Sequence, residues 1–539
     1  MSPVKDFLLS KLEQHPCFYR SKDIPEGTTA KALPDSDLIL KPKIHISRCP
    51  GRLSFSKHCD YVNNDLLYLA ANYETLVAVQ VSALALGEIS TPNISAQAFI
   101  EIYNLNPDFQ ELILSQEQVI DDISAIKLTL SDQCLNDNKP NWTFYILKIL
   151  DLLLTEDLDF DLAKIHSLKI VVNSDLPAAA GMSSSHALIL ASLMSLIRAL
   201  HSQGLLTNID KTYFKYLLNP KAENLETILN RDDLLALLKF CQKVEIAKGF
   251  NSGLGDQAAQ ILSRKNHFCF IKLFPELSFK YQKIPEGISF MILPSFIKAE
   301  KTSEEYRLKE KYFDRYKEVN QLTPFFLENE TAHKRASSLG DILYQLTDKE
   351  ILEKLKKLKE IKDIYIEGSV ITNDDKLSNL ALYALAEGAR LKDLKQNFCI
   401  EKMFEYVNLS HLAEWVSDTL PHPMIFPADP KLGNTIFTAQ ESINMNLKLA
   451  NHIGAYRSST PFNDSLENFT LSLEGVYACS IMGAGLGGNN IAIASSEKTD
   501  SIKKTLIEDF YSHYNLAEKA KTAILVNSSA NGLEYLGEF

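Results

Sequence analysis

Three short segments of the chain gather residue types suited to holding phosphate and handling a proton. The first, Leu176 to Ala187, reads LPAAAGMSSSHA. Small residues let a backbone approach a ligand closely, and a helix opening in such a loop directs free N–H groups and its positive dipole end outward. Phosphate is the natural guest. The serine hydroxyls add oxygen donors for phosphate or for magnesium, although serines in this position also cap ordinary core helices.

The second segment, Gly483 to Gly488, reads GAGLGG and satisfies the GxGxxG pattern of dinucleotide sites. A Rossmann site needs those glycines to open a helix after a strand. Here the next residues, NNIAIAS, favour a strand, so the glycines read as a tight connection between strands beside a ligand or another backbone. The third segment, PGRLSFSKHCDY from Pro50 to Tyr61, places Arg52, Lys57, His58 and Asp60 close together at the end of a strand. Polar side chains there can converge on a small ligand, though such a cluster is also compatible with a solvated turn.

These segments need elements to position them. KIHISRCPGRLSFS from Lys43 alternates like a strand, and LLYLAANYETLVAVQVSAL continues with strand material. LKIVVN, Leu168 to Asn173, is a β-branched run that leads into the serine loop, and HALILASLMSLIRALHSQG after it is apolar on most sides, as a buried helix is. Residues 205 to 240 read as a helical insertion, with a helix following at LLALLKFCQKVEIAKG. Asp348 to Lys362 has leucines and isoleucines at helical spacing among lysines and glutamates, which predicts an amphipathic helix. VYACSIM and NNIAIAS are strands flanking the glycine turn.

The chain has 539 residues, 45% hydrophobic and 23% charged, which fits two packed domains with insertions. A net charge of −12 gives no positive field for a polyanion, so nucleic acid is not expected as a partner and a small substrate is. The eight cysteines are scattered without CxxC pairs, which suits reduced thiols. MSPVKDFLLSKLEQH carries charges inside its apolar stretch, unlike a secretory signal, and Trp142 to Leu154 is too short to span a bilayer. A cytoplasmic protein without a membrane partner is expected. Nothing in the sequence fixes an oligomeric state.

In order along the chain, the three segments resemble the signatures of the GHMP small-molecule kinases, and most of all the galactokinase, galacturonokinase and arabinokinase branches. PGRLSFSKHCDY is similar to the family's PGRVNLIGEHTDY with one residue fewer, LPAAAGMSSSHA to LPLGAGLSSSAA, and IMGAGLGGNNIAI to MTGAGFGGCTVAL. EIAKGFNSGLGDQAAQI resembles the segment ending in GIMDQ, and KAEKTSEEYRLKE resembles KHELAGSEYNVRR. The resemblance spans residues 47 to about 495, with identities concentrated in a few short stretches.

It implies an α+β, two-domain GHMP kinase fold: an N-terminal extension over 1–43, a ribosomal-S5-like ATP-binding domain over 44–265 and a sheet-and-helix domain over 266–539. It implies ATP-dependent phosphorylation of a monosaccharide, a galactose-like sugar or a uronic acid, at the anomeric hydroxyl, with ATP and Mg2+ as cofactors. Ala180, Gly181, Met182, Ser183, Ser184 and Ser185 would cradle the ATP phosphates, and Ser184 with Glu245 would hold the metal. Asp256 falls at the catalytic aspartate and Arg52 beside it. His58, Asp60, Tyr61, Tyr306 and Gly485 fall at substrate positions.

The chain departs from the pattern at telling places. Lys57 replaces a glutamate that in galactokinases contacts the outer sugar hydroxyl, and a lysine there suits an anionic sugar. Ala179 replaces a glycine, and His186 replaces a small residue at the start of the helix. These departures leave two alternatives open: a catalytically idle sensor of sugar and ATP, and a kinase of a non-sugar alcohol.

Overall fold

The computed structural model describes residues 42–83, 98–106, 112–115, 142–156, 158–160, 164–177, 181–218, 231–249, 253–297, 318–327, 338–366, 369–372, 375–414, 443–456, 458–483, 485 and 487–538. The expected N-terminal arm, apart from Pro42 and Lys43, lies outside them, and so do Ala180 and Tyr306.

The larger sheet begins with β1 (Ile44–Ser54) and β2 (Leu66–Ala83), the long alternating runs expected as strands. Its order is β14-β1-β2-β5-β3-β4, with β3 (Ala98–Asn104), β4 (Leu112–Ser115), β5 (Ile165–Ser174) and β14 (Glu534–Glu538). β6 (His267–Lys272) pairs with the start of β2 and with β7 (Ser278–Lys283). Strands on both sides of residue 265 therefore share one sheet. Neighbours are antiparallel except β3 and β5, which run parallel.

Proline offers no N–H to a ladder, and the β1–β2 register shifts between Pro50 and Arg52. The shift falls where the serine loop docks. A Cβ on Gly51 would come within 2.4 Å of the Leu176 side chain and 3.1 Å of Met182 O, so the loop packs closely against this glycine.

The serine loop opens α2 (Ser184–Ser202), which is buried on every side from His186 to Leu200 and packs on β1 and β2. Against it lie α1 (Thr143–Leu153), α3 (Arg231–Ala247) and α4 (Gly255–Leu262). Together these elements close the main hydrophobic core, where Leu147, Ile189, Leu193 and Leu238 are fully buried.

A second sheet has the order β11-β12-β8-β13, from β8 (Ile288–Pro294), β11 (Val476–Ile481), β12 (Asn489–Ser495) and β13 (Leu525–Asn527). The glycine turn joins β11 to β12 as antiparallel neighbours, the strand-to-strand connection expected of it. α8 (Pro461–Leu471) packs on this sheet.

A helical layer forms its own core from α5 (Asp348–Glu360), α6 (Asp375–Gln396) and α7 (Ile400–Glu414). α5 is the expected amphipathic helix. Ile351, Leu352, Leu355 and Leu358 make its buried stripe, and a Thr347–Glu350 capping box fixes its start. A hairpin of β9 (Asp363–Ile366) and β10 (Ser369–Thr372) follows α5. No helix among the described residues is long and apolar enough to cross a membrane.

Candidate active site

The register shift aims Arg52 at the first turn of α4. Its Nε donates to Asp256 Oδ1 at 2.7 Å and its Nη2 to Oδ2 at 2.8 Å, a two-pronged pairing that fixes both planes. Nη1 donates to the Gly181 carbonyl, and the Arg52 backbone N–H donates to Met182 O at 3.1 Å. Arg52, Asp256, Gly181 and Met182 are thus one unit.

Ser183 precedes α2 in the left-handed conformation (φ 57°), and its hydroxyl donates to Asp256 Oδ2 instead of capping the helix. The first N–H groups of α2 therefore receive no side-chain cap, and they carry the helix's positive end. Gln260, one turn beyond Asp256 on α4, donates to Ser183 O at 3.0 Å and fixes the loop from below. Sequence reasoning missed Gln260, although its four-residue spacing from Asp256 places both on one helix face.

The Arg52 side chain is 7% exposed and that of Asp256 26%. Burial alone would raise the Asp256 pKa. The charge of Arg52, that of His186, and the hydrogen bonds from Arg52 and Ser183 outweigh it and hold the carboxyl well below its usual range.

Asp60 lies in the short helical turn Cys59–Val62 next to this pair. Its Oδ2 accepts a long hydrogen bond of 3.4 Å from Gly255 N–H. Burial and then the Asp256 charge push its pKa up to about 6, against opposing effects from backbone N–H groups and Arg52. Asp60 packs closely on Gly253, where a Cβ would sit 1.8 Å from its Oδ2. Tyr68 of β2 packs against the same place, its Oη 2.4 Å from where a Gly255 Cβ would be. Strand alternation alone gave no reason to single it out.

His58 is buried, and its ring lies 4.1 Å from that of Tyr456 and 6.4 Å from that of Tyr61. Burial, aided by the Lys57 charge, lowers the His58 pKa to about 3, so the ring is neutral.

Lys57 is only 2% exposed, and its ammonium donates to Ser480 Oγ on β11. It is turned away from solvent. Its charge acts on Glu467 of α8 and on His411 of α7, both fully buried. His411 Nδ1 accepts from Ile481 N–H at 3.1 Å, which leaves Nε2 to face Glu467. The partners that bury Lys57 lie hundreds of residues away, and the sequence carried no signal for them.

Ser184 is the first residue of α2. Ser185 hydrogen-bonds Tyr145, whose phenol also feels the Glu245 charge. Glu245, on α3, is 2% exposed and reaches the same helix start, with Oε1 3.6 Å from His186 Nδ1. That oxygen is buried without a hydrogen-bond partner, which suits a metal ligand.

The glycine turn meets the serine loop back to back. A Cβ on Gly483 would lie 3.2 Å from Gly181 O, and one on Gly181 would lie 3.1 Å from Met482 O. Gly485 instead abuts Ser458, 2.4 Å from its would-be Cβ.

No family model matches the chain. Over 522 residues it is 23% identical to galactokinase of Saccharomyces cerevisiae, covering 86% of each chain. Over 382 residues it is 22% identical to galactokinase of Thermosipho africanus, covering 70% of this chain and 78% of that one. The galactokinase of Lactococcus lactis, solved in complex with galactose, superposes with a TM-score of 0.56 at 15% identity, over 92% of this chain and 95% of that one. The chain is thus similar along most of its length to galactokinases. Its α+β fold is the one seen in that solved galactokinase.

Proposed function

We propose that the chain transfers the γ-phosphoryl group of ATP to a hydroxyl of a neutral, galactose-like monosaccharide. The single observation that carries the reading is the Arg52–Asp256 pair, closed by Ser183 at the uncapped start of α2. Phosphoryl transfer asks for alignment and for neutralised phosphate charge more than for covalent help. The loop through Gly181, Met182, Ser183, Ser184 and Ser185 supplies backbone N–H groups for the phosphates.

Asp256, ionised and held by Arg52, is a weak base. Its task is to orient the acceptor hydroxyl and take the proton once the bond to phosphorus has begun to form. Arg52 keeps that carboxylate charged and adds positive charge beside the transferred group. Glu245 and the Ser184 hydroxyl would hold the magnesium ion, which when bound neutralises phosphate oxygens; the donor-free Glu245 Oε1 supports that assignment. Asp60, near Asp256, is the acceptor for sugar hydroxyls, with His58 and Tyr61 on its own turn.

The burial of Lys57 favours a neutral sugar over a uronic acid, because its ammonium is turned from solvent and already donates to Ser480. ADP release by the purified chain, measured with ATP against galactose, galacturonate, arabinose and mevalonate, tests the proposal. We expect turnover with a neutral sugar and little with galacturonate. Thermal stabilisation by sugar and ATP without ADP release would replace the kinase with a sensor.

A further inference from the structure

His186 stands where relatives of this family carry a small residue, and the fold directs its added bulk to one place. The ring is 4% exposed at the start of α2, with Nδ1 3.6 Å from Glu245 Oε1. That separation is too long for a hydrogen bond. A carboxylate oxygen buried without a donor is costly, so a positive partner is expected beside it.

Two donor atoms 3.6 Å apart suit adjacent ligands of one divalent ion, each about 2.1 Å from the metal. Among the described residues no set of three or more His, Cys, Asp and Glu side chains converges on a metal position. The remaining ligands must then be a hydroxyl, water and nucleotide phosphate, which ties the ion to the nucleotide.

We propose that His186 Nδ1, with Glu245, ligates the divalent cation that accompanies the nucleotide, and that the site prefers Mn2+ or Co2+ to Mg2+. Magnesium is a hard cation that takes oxygen ligands, whereas imidazole nitrogen suits first-row transition metals. The inference rests on the nucleotide-site reading above.

Pulsed electron paramagnetic resonance of the full chain with Mn2+ and ADP, without sugar, tests it directly. Wild type should show nitrogen-14 coupling from a bound imidazole, and His186→Ala should lose it. In calorimetry with ADP, that variant should bind Mn2+ about tenfold more weakly while its Mg2+ affinity holds. His186→Asn, with less change in volume, guards against a folding defect and should behave alike. Absence of nitrogen coupling in wild type, or an equal loss for both metals, overturns the proposal. If ADP does not bind at all, the kinase reading falls with it; if ADP binds and the coupling is absent, only the His186 assignment falls.

Discussion

The two halves of the site are held in different ways. The proposed phosphate side, with Arg52, Ser183, Asp256 and Gln260, is built from β1, α2 and α4, all inside residues 44–262. The turn from Phe55 to Asn64 leans on elements hundreds of residues further on. Tyr406 Oη donates to Phe55 O at 3.3 Å, Tyr383 Oη to Lys57 O at 3.1 Å, Asn320 Nδ2 to Tyr61 O at 2.8 Å and Asn64 Nδ2 to Ala384 O at 2.7 Å. Glu387, fully buried, accepts from Tyr406, Ser410 and Arg390 and so stiffens the layer that makes these contacts.

The contrast can be broken experimentally. Asp256→Asn removes a charge but keeps an acceptor for Arg52. It should leave the melting temperature within a few degrees of wild type and cut turnover about 10²–10⁴-fold; near-normal ADP release would remove Asp256 from the mechanism. Lys57→Glu should act on stability first. It sets a third buried carboxylate near Glu467 and Asp464 and removes the compensating charge, at about 3–5 kcal/mol in denaturant unfolding. Lys57→Met combined with Glu467→Gln should recover most of that loss. Wild-type stability in Lys57→Glu would mean that the ammonium is not needed where it lies.

The smallest effect concerns pH. Asp60, with its pKa pushed up to about 6, is ionised above that value and becomes protonated below it, losing an acceptor for sugar hydroxyls. The sugar KM should rise about tenfold between pH 7 and pH 5, one unit past the midpoint, while the ATP KM changes little. Asp60→Asn should flatten the profile. A sugar KM independent of pH in wild type would place the sugar elsewhere.

The strands at 44–54, 66–83 and 165–174, the buried helix after the serine loop and the amphipathic helix at 348–360 were legible because periodicity reports burial directly. Arg52 and Asp256 were legible through their motifs, and they meet as a bidentate pair across 204 residues of chain. The glycine turn was legible as a strand connection because NNIAIAS reads as strand. Its packing against Gly181 was not, since contact between two backbones leaves no pattern in either segment.

Lys57 marks the limit. The sequence by itself determined that a cation replaces an acid at that position, and a local reading turns it toward substrate. The tertiary structure turned it inward, because α7, α8 and β11 bring His411, Glu467 and Ser480 to one buried place and a desolvated carboxylate there calls for a positive neighbour. Residue type and spacing set the chemistry available to the chain. Which group faces the ligand and which the core was decided by distant charges that only folding brings together.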